Sequence, residues 1–428
     1  MTVKLQLALD FITLRRALKV ADEAVAAGVQ ILEAGTPLIK SEGLESIRAL
    51  RARFPNHSIV ADLKTMDAGR IEVEAAAKAG ANVAMVLGGA SDSTILECVE
   101  VARNYGVQIG VDLLGVPNPV ERAIQISQWG VHYINIHCPI DDQMRAMDPF
   151  ETLRKVSQAV EVPIMVAGGI NSETAPKAAE SGASVVIVGG AITKAEDARK
   201  ATETILRAIE TGVPESTNLF KRRSTENLRE LLEQVSSANL SDAMHRSGDI
   251  PGVIPLQEGT RIIGPAVTVR TYPGDWAKPV QALEQCQEGD VLVVDAAGVG
   301  PAIWGELASE SALQRKVNGI ICYGGVRDID CIRDIGFQCF GSMITPTAGE
   351  PKGFGEINVP IRIENVLIEP GDWIVGDDSG VVRVPRSKAV EIANRGMDVL
   401  EQENRLRREI RQASTLSEVA ELLRWEKK

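Results

Sequence analysis

The sequence predicts an α/β chain of two domains, an N-terminal (β/α)8 barrel followed by a strand-rich second domain. Three observations predict it. Short β-branched runs recur eight times in the first 210 or so residues, and Ala-rich helical patterns separate them. The rhythm then stops in a segment rich in Gly, Pro, Ser and Thr.

The eight runs are Leu5–Asp10, Ile31–Gly35, Ile59–Lys64, Val83–Gly88, Gln108–Leu113, Tyr133–Cys138, Pro163–Gly169 and Val185–Gly190, spaced roughly 20–30 residues apart. Helical patterns such as RIEVEAAAKAG and NSETAPKAAESG lie between them. Strand–helix alternation at this period builds right-handed βαβ units around a parallel sheet, and eight units close a barrel. A doubly wound open sheet is the alternative that the same period allows. We place the barrel at residues 1–211 and a linker at 212–228. The linker holds a basic cluster (Lys221, Arg222, Arg223), read as a solvated segment rather than a nucleic-acid patch because no aromatic residue accompanies it.

From 229 to 428 the runs RIIGPAVTVRTY, DVLVVDAAG, GIICYGGVRD and QCFGSMITP read as strands. The stretch from Val359 to Pro385 carries the turn signals EPGD and DDSG between apolar alternations, a hairpin pattern. The tail from Ser387 is helical and heavily charged, expected to pack on a neighbouring or partner helix or to face solvent.

Composition bounds the function. The 428 residues allow two or three domains at roughly 100–200 residues each. A net charge of −12 argues against non-specific nucleic-acid binding, though not against a small anionic substrate. Six cysteines without a CxxC pair suggest neither a disulfide framework nor a zinc site. The N-terminal apolar run is broken by Asp10, a poor signal peptide, and no stretch approaches 18 apolar residues. A cytoplasmic protein is expected, with no membrane partner.

In such a barrel, catalytic groups project from the C-terminal strand ends. Those ends carry Asp10, Glu33, Asp62 with Lys64, Asp112 and His137, and the glycine pairs Gly168–Gly169 and Gly189–Gly190. Charged groups there are costly to desolvate unless they pair or bind something. Glu33 and Asp62 suit a hard Mg²⁺. A metal and the Lys64 ammonium together stabilise an enediolate, while a histidine such as His137 moves the proton. The paired glycines let backbone amides approach a phosphate. Lys64 as a Schiff-base nucleophile is the rival reading, disfavoured because Asp62 and Asp67 keep the amine protonated.

The segments LQLALD, ILEAGTPLIKSEG, ADLKTMDAG, VAGGI and VGGAIT resemble the 3-hexulose-6-phosphate synthase family of the orotidine-phosphate decarboxylase suprafamily, across essentially residues 1–210. The resemblance implies a Mg²⁺-dependent aldol addition of formaldehyde to ribulose 5-phosphate through an enediolate. It puts Glu33 and Asp62 at the metal, Lys64 beside the enediolate, and Asp67 in the active site of a partner subunit, hence a dimer. The sister family of 3-keto-gulonate-6-phosphate decarboxylases is the alternative. It typically carries Glu at position 112, Arg shortly after the histidine and Arg in the eighth loop. Here Asp112, Cys138-Pro139-Ile140-Asp141 and Gly190-Ala191-Ile192 stand there, all favouring the synthase. The segment HCPIDDQM departs from the usual synthase loop.

In the second half Glu306, at a helix start with Leu307 and Ala308, precedes Arg327 and Asp328 by about twenty residues. An Arg–Asp pair is compatible with a plain ion pair. It also suits a carboxylate held bidentately by Arg327, with Mg²⁺ on Asp328 and Glu306 acting through water. With SSANLSDAM and GDDSGVVRVP, this arrangement resembles the RraA-like regulators and the 4-hydroxy-4-methyl-2-oxoglutarate aldolases, over roughly residues 229–400. That implies an α/β/β sandwich-like subunit, trimers, and a 2-oxoacid ligand or else a regulatory role. The aldolases usually have Asp at 306 and an acid at 331, where this chain has Glu306 and Cys331. Asp242 and His245 are read as cap or core residues. Barrel dimers fused to trimers predict a large closed homo-oligomer.

Overall fold

The structure, a computed structural model, describes residues 3–219, 221–412 and 414–419. Phe220 of the expected linker and residues 420–428 of the expected second domain lie outside the described residues. Two compact units emerge, one of residues 1–222 with 401–428, the other of residues 223–400.

In the first unit, β1 (Lys4–Leu9), β2 (Ile31–Ala34), β3 (Ser58–Thr65), β4 (Val83–Leu87), β5 (Gln108–Asp112), β6 (Tyr133–His137), β7 (Ile164–Ala167) and β8 (Val185–Val188) close a parallel barrel in chain order. Each lies within a residue or two of its predicted run, and the open sheet is excluded by the pairing of β1 with β8. Alternation sets the two faces of each strand. Val83 and Met85 of β4, and Val185 and Ile187 of β8, belong to an apolar cluster with Ala8, Ile31, Val60, Met165 and Ala167. Their neighbours Ala84, Val86, Val186 and Val188 pack with the helices instead. The helices meet the strands through small residues, such as Ala17, Val20, Ala21 and Ala24 of Leu14–Ala26, at helical spacing.

The unit boundaries differ from the expected ones. The segment after Gly212 lies along the barrel, where the Ser172 hydroxyl donates to the Glu215 carbonyl (2.8 Å) and the Thr217 amide to Glu173 (3.0 Å). The basic cluster is neutralised residue by residue: Lys221 pairs with Glu173, Arg222 with Glu401 and Arg223 with Glu230. Among the described residues that pairing leaves no open cationic patch there. The helix Ala389–Arg411 divides between the units. Its last three turns belong with the barrel because Glu401, Arg405 and Glu409 are buried and paired there.

In the second unit the strands are β9 (Ile254–Pro255), β10 (Ile262–Arg270), β11 (Val291–Asp295), β12 (Ala302–Trp304), β13 (Gly319–Val326), β14 (Cys339–Ile344), β15 (Glu356–Ile357), β16 (Ile361–Ile363), β17 (Val366–Ile368), β18 (Trp373–Asp377) and β19 (Gly380–Val384). A mixed sheet runs β19-β18-β10-β11-β13-β14-β9, with β12 on β13 and β15 on β10. Leu292 and Val294 face one core with the helical residues Ala282, Ala312 and Ile332. Val291 and Val293 face another, closed by Ile361, Ile363 and Ile368 of the β16–β17 ribbon. The layers are thus helix, sheet and ribbon. The DDSG turn joins β18 to β19 as the hairpin its sequence predicts.

Candidate active site

Strand register carries the chemistry to one mouth. In β3, Val60 points inward, so Asp62 and Lys64 follow on the same face; in β2, Ile31 does the same for Glu33. β1 supplies Asp10 just past its end, β5 supplies Asp112 and β6 His137. β3 is the longest barrel strand, and its pairing with β4 shifts register between Ala61 and Thr65. Lys64 there adopts a left-handed φ of 50°. That conformation is costly for a lysine and persists where the surroundings enforce it.

The Lys64 ammonium lies 3.0 Å from Asp62 and 3.5 Å from Asp112. Asp112, buried, also meets His137 Nδ1 at 3.0 Å and accepts the Leu114 amide at 2.9 Å. Burial alone would raise Asp112, but the hydrogen bond and charge of His137, with Lys64, hold it below the usual carboxylate range. Burial pulls Lys64 down, and Asp62 and Asp112 outweigh it, so the amine sits above its ordinary value. It is held as an ammonium, which opposes the Schiff-base reading.

Glu33 is pushed well above the usual range, first by burial and then by the charges of Asp62 and Asp10. Asp10 keeps contact with solvent at the rim, yet the enclosing walls and Asp62 raise it too. Gly35 makes room for it, since a Cβ there would stand 2.2 Å from Asp10 Oδ1. Mutually repelling acids of this kind are what a cation relieves. Among the described residues no three His, Cys, Asp or Glu side chains converge as a metal cage. Glu33 and Asp62 are still a fitting donor set for Mg²⁺, which usually takes one or two carboxylates and completes its shell with water and substrate oxygens.

Of the other predicted residues, Gly168 and Gly169 follow β7 at φ 106° and 72°, and Gly189 and Gly190 follow β8. A Cβ on Gly168 would stand 2.5 Å from the Cys138 carbonyl, so the backbone passes too closely for any other residue. Asp67 is exposed in the loop after β3. Sequence reasoning missed Gln6, whose amide donates to Glu33 Oε2 at 2.6 Å, and Thr36, whose hydroxyl donates to Asp62 Oδ2 at 2.7 Å. Inward parity in β1 would have found Gln6, four residues before Asp10. Thr36 lies at a helix start and carries no such signal.

In the second unit Arg327 Nε donates to Asp328 Oδ2 at 3.1 Å, and the Glu306 amide reaches the same oxygen at 3.4 Å. Asp328 is left-handed at φ 58°, and a Cβ on Gly305 would stand 2.7 Å from Asp328 Oδ2. Glu306 leads the nearby charges that push the Cys331 thiol up, so the cysteine adjoins this acid pair. Leu307 is exposed and Ala308 half-buried.

Closed barrel, inward acids and a central lysine together define a (β/α)8-barrel enzyme. Residues 3–205 match the family described as orotidine 5'-phosphate decarboxylase / HUMPS, and residues 237–383 the RraA-like family, Aldolase/RraA. A 3-hexulose-6-phosphate synthase of Mycobacterium gastri is 38% identical over 207 residues, 48% of this chain and 100% of that protein. One from Bacillus subtilis (strain 168) is 36% identical over 211 residues, 49% and 100% respectively. Streptomyces coelicolor RraAS2 is 31% identical, with 43% of this chain and 98% of that one covered at a TM-score of 0.40. The chain belongs, through its barrel, to the orotidine 5'-phosphate decarboxylase / HUMPS family, and its second unit is RraA-like. Among the described residues no helix is long and apolar enough to cross a membrane.

Proposed function

We propose that the barrel is a Mg²⁺-dependent 3-hexulose-6-phosphate synthase, adding formaldehyde reversibly to D-ribulose 5-phosphate to give 3-hexulose 6-phosphate. The observation that carries the reading is the Lys64 ammonium held between Asp62 and Asp112, with His137 on the far side of Asp112. Glu33 and Asp62 would hold Mg²⁺, which when bound polarises the substrate carbonyl. Asp112 orients the His137 ring through Nδ1, leaving Nε2 to take the proton from the carbon that attacks formaldehyde. Lys64 places its charge beside the oxygen that becomes negative. Gly168, Gly169, Gly189 and Gly190 offer backbone to the phosphate, and Asp67 is exposed as a residue serving a second subunit must be.

For the second unit we propose a carboxylate site at Arg327, with Asp328 and Glu306 beside it, taking a 2-oxoacid. Barrel dimers and second-unit trimers would then make a closed homo-oligomer. The test of the barrel is formaldehyde consumption with ribulose 5-phosphate and Mg²⁺, repeated with EDTA. Metal-dependent consumption supports the synthase. No consumption by folded protein, together with CO₂ release from 3-keto-gulonate 6-phosphate, would replace it with the decarboxylase.

A further inference from the structure

We propose that Arg405, on the C-terminal helix, is a positioning residue for the loop after β8 that receives the substrate phosphate. The inference rests on the synthase reading for its ligand, and on the following contacts for its geometry.

Arg405 is 3% exposed, and every branch of its guanidinium is engaged. Nε donates to Glu409 at 2.8 Å, one turn further on the same helix. Nη2 and Nη1 fork onto Glu23 at 2.8 and 3.1 Å. Nη1 also donates to the Ala195 carbonyl at 3.1 Å and the Glu196 carbonyl at 3.3 Å. Glu23 belongs to the helix after β1, the strand that ends at Asp10, and also accepts the Ala198 amide at 3.3 Å. Arg408 adds a bond to Asp197, the residue that caps the helix Ala198–Thr211. Five hydrogen bonds from one planar fork onto fixed acceptors have one arrangement, which a lysine point charge does not reproduce.

The carbonyls that Arg405 grips end a short stretch that begins at the phosphate glycines. Gly190–Thr193 forms a single turn, the Lys194 amide donates to the Gly190 carbonyl at 3.1 Å, and the Ala195 amide to the Ile192 carbonyl at 3.2 Å. Lys194, next to Ala195, lies close enough to Asp10 for its charge to act on that carboxyl. Fixing Ala195 and Glu196 therefore fixes the carboxyl-terminal end of the turn that would receive the phosphate. A strap that merely stabilised the barrel would grip helices alone; Arg405 grips the loop's own backbone.

The experiment compares the full chain with Arg405→Lys and Arg405→Met, after circular dichroism shows both folded. Three readouts are taken: KM and kcat for ribulose 5-phosphate, affinity for inorganic phosphate by calorimetry, and hydrogen exchange of peptides covering 189–197. The expected result is a KM raised about tenfold with kcat within about twofold, phosphate affinity lowered to match, and faster exchange at 189–197 while β1–β8 stay protected. Arg405→Lys recovers less than half of the loss. Unchanged KM and phosphate affinity in a folded Arg405→Met overturn the proposal, as does a kcat loss without a KM change. If the native chain binds phosphate but turns over no ribulose 5-phosphate, the synthase reading fails while the phosphate and exchange readouts still decide the role of Arg405.

Discussion

Replacing Lys64 by methionine keeps the unbranched stem and removes one positive charge from a mouth that holds four carboxylates. In the native chain the ammonium stands 3.0 Å from Asp62 and 3.5 Å from Asp112. At an effective dielectric constant near 20, each pair at such a distance attracts by about 5 kcal/mol before desolvation is subtracted. Removing one partner of a buried pair typically costs about 3–5 kcal/mol. Lys64 retains 23% side-chain exposure and Asp112 keeps its bond to His137, so the low end applies, about 3 kcal/mol at pH 8. The pH dependence is sharper. Asp112, lowered in the fold, contributes stability above its unfolded value of about 3.9 and loses it as pH falls through its folded value. Lys64, raised in the fold, contributes fully below about 10.4 and loses that as pH rises through its folded value. In the variant Glu33 and Asp10, already raised and each held down in part by Lys64, rise further, so folding takes up protons towards pH 5 and the penalty shrinks there. Urea unfolding read by exchange protection of peptides from β3 and β5 reports the barrel alone. A penalty equal at pH 5 and pH 8, or larger at pH 5, refutes the reasoning. So does turnover within tenfold of native, since the loss expected is about 10³.

Gly35→Ala drives a methyl into the Asp10 carboxylate, and we expect turnover to fall by about 10² for about 1–3 kcal/mol of stability; unaltered kinetics would remove Asp10 from the site. Glu33→Gln should raise the Mg²⁺ concentration for half-maximal formaldehyde consumption at least tenfold, and an unshifted Mg²⁺ titration would take Glu33 off the metal. Arg327→Ala should abolish pyruvate release from 4-hydroxy-4-methyl-2-oxoglutarate or oxaloacetate while leaving formaldehyde consumption untouched. Absence of release from the native chain favours a regulatory second unit.

The barrel was legible because its strands are buried on both faces and read as apolar runs, as VVIV of β8 does, while Gly and charged residues mark where each run stops. The cluster was legible for the same reason: an acid or lysine closing an apolar run has few structural excuses. The destination of the tail was not. The helix Ala389–Arg411 shows a charged pattern compatible with solvent, and nothing local says that Glu401 finds Arg222, Glu409 finds Lys19, and Arg405 finds Glu23 and loop carbonyls far back in the chain. Thr36 escaped similarly, because its partner Asp62 is brought near only when β2 pairs with β3. Asp67 was expected to flank the Lys64 amine and, by resemblance, to serve a partner subunit; it is exposed, and the acids that hold the ammonium are Asp62 and Asp112.

A single codon lost between Ile31 and Glu33 would turn the carboxylate outward among helix-facing side chains and bring an alanine to face the interior. A codon lost from the connection before β2 would leave the carboxylate in place. Length changes that keep the site are therefore expected in the connections, and within a strand only two codons at a time. Deletion scanning would record that as loss with one codon removed and retention with two, through β1, β2, β3, β5 and β6, set by geometry before any catalysis is measured.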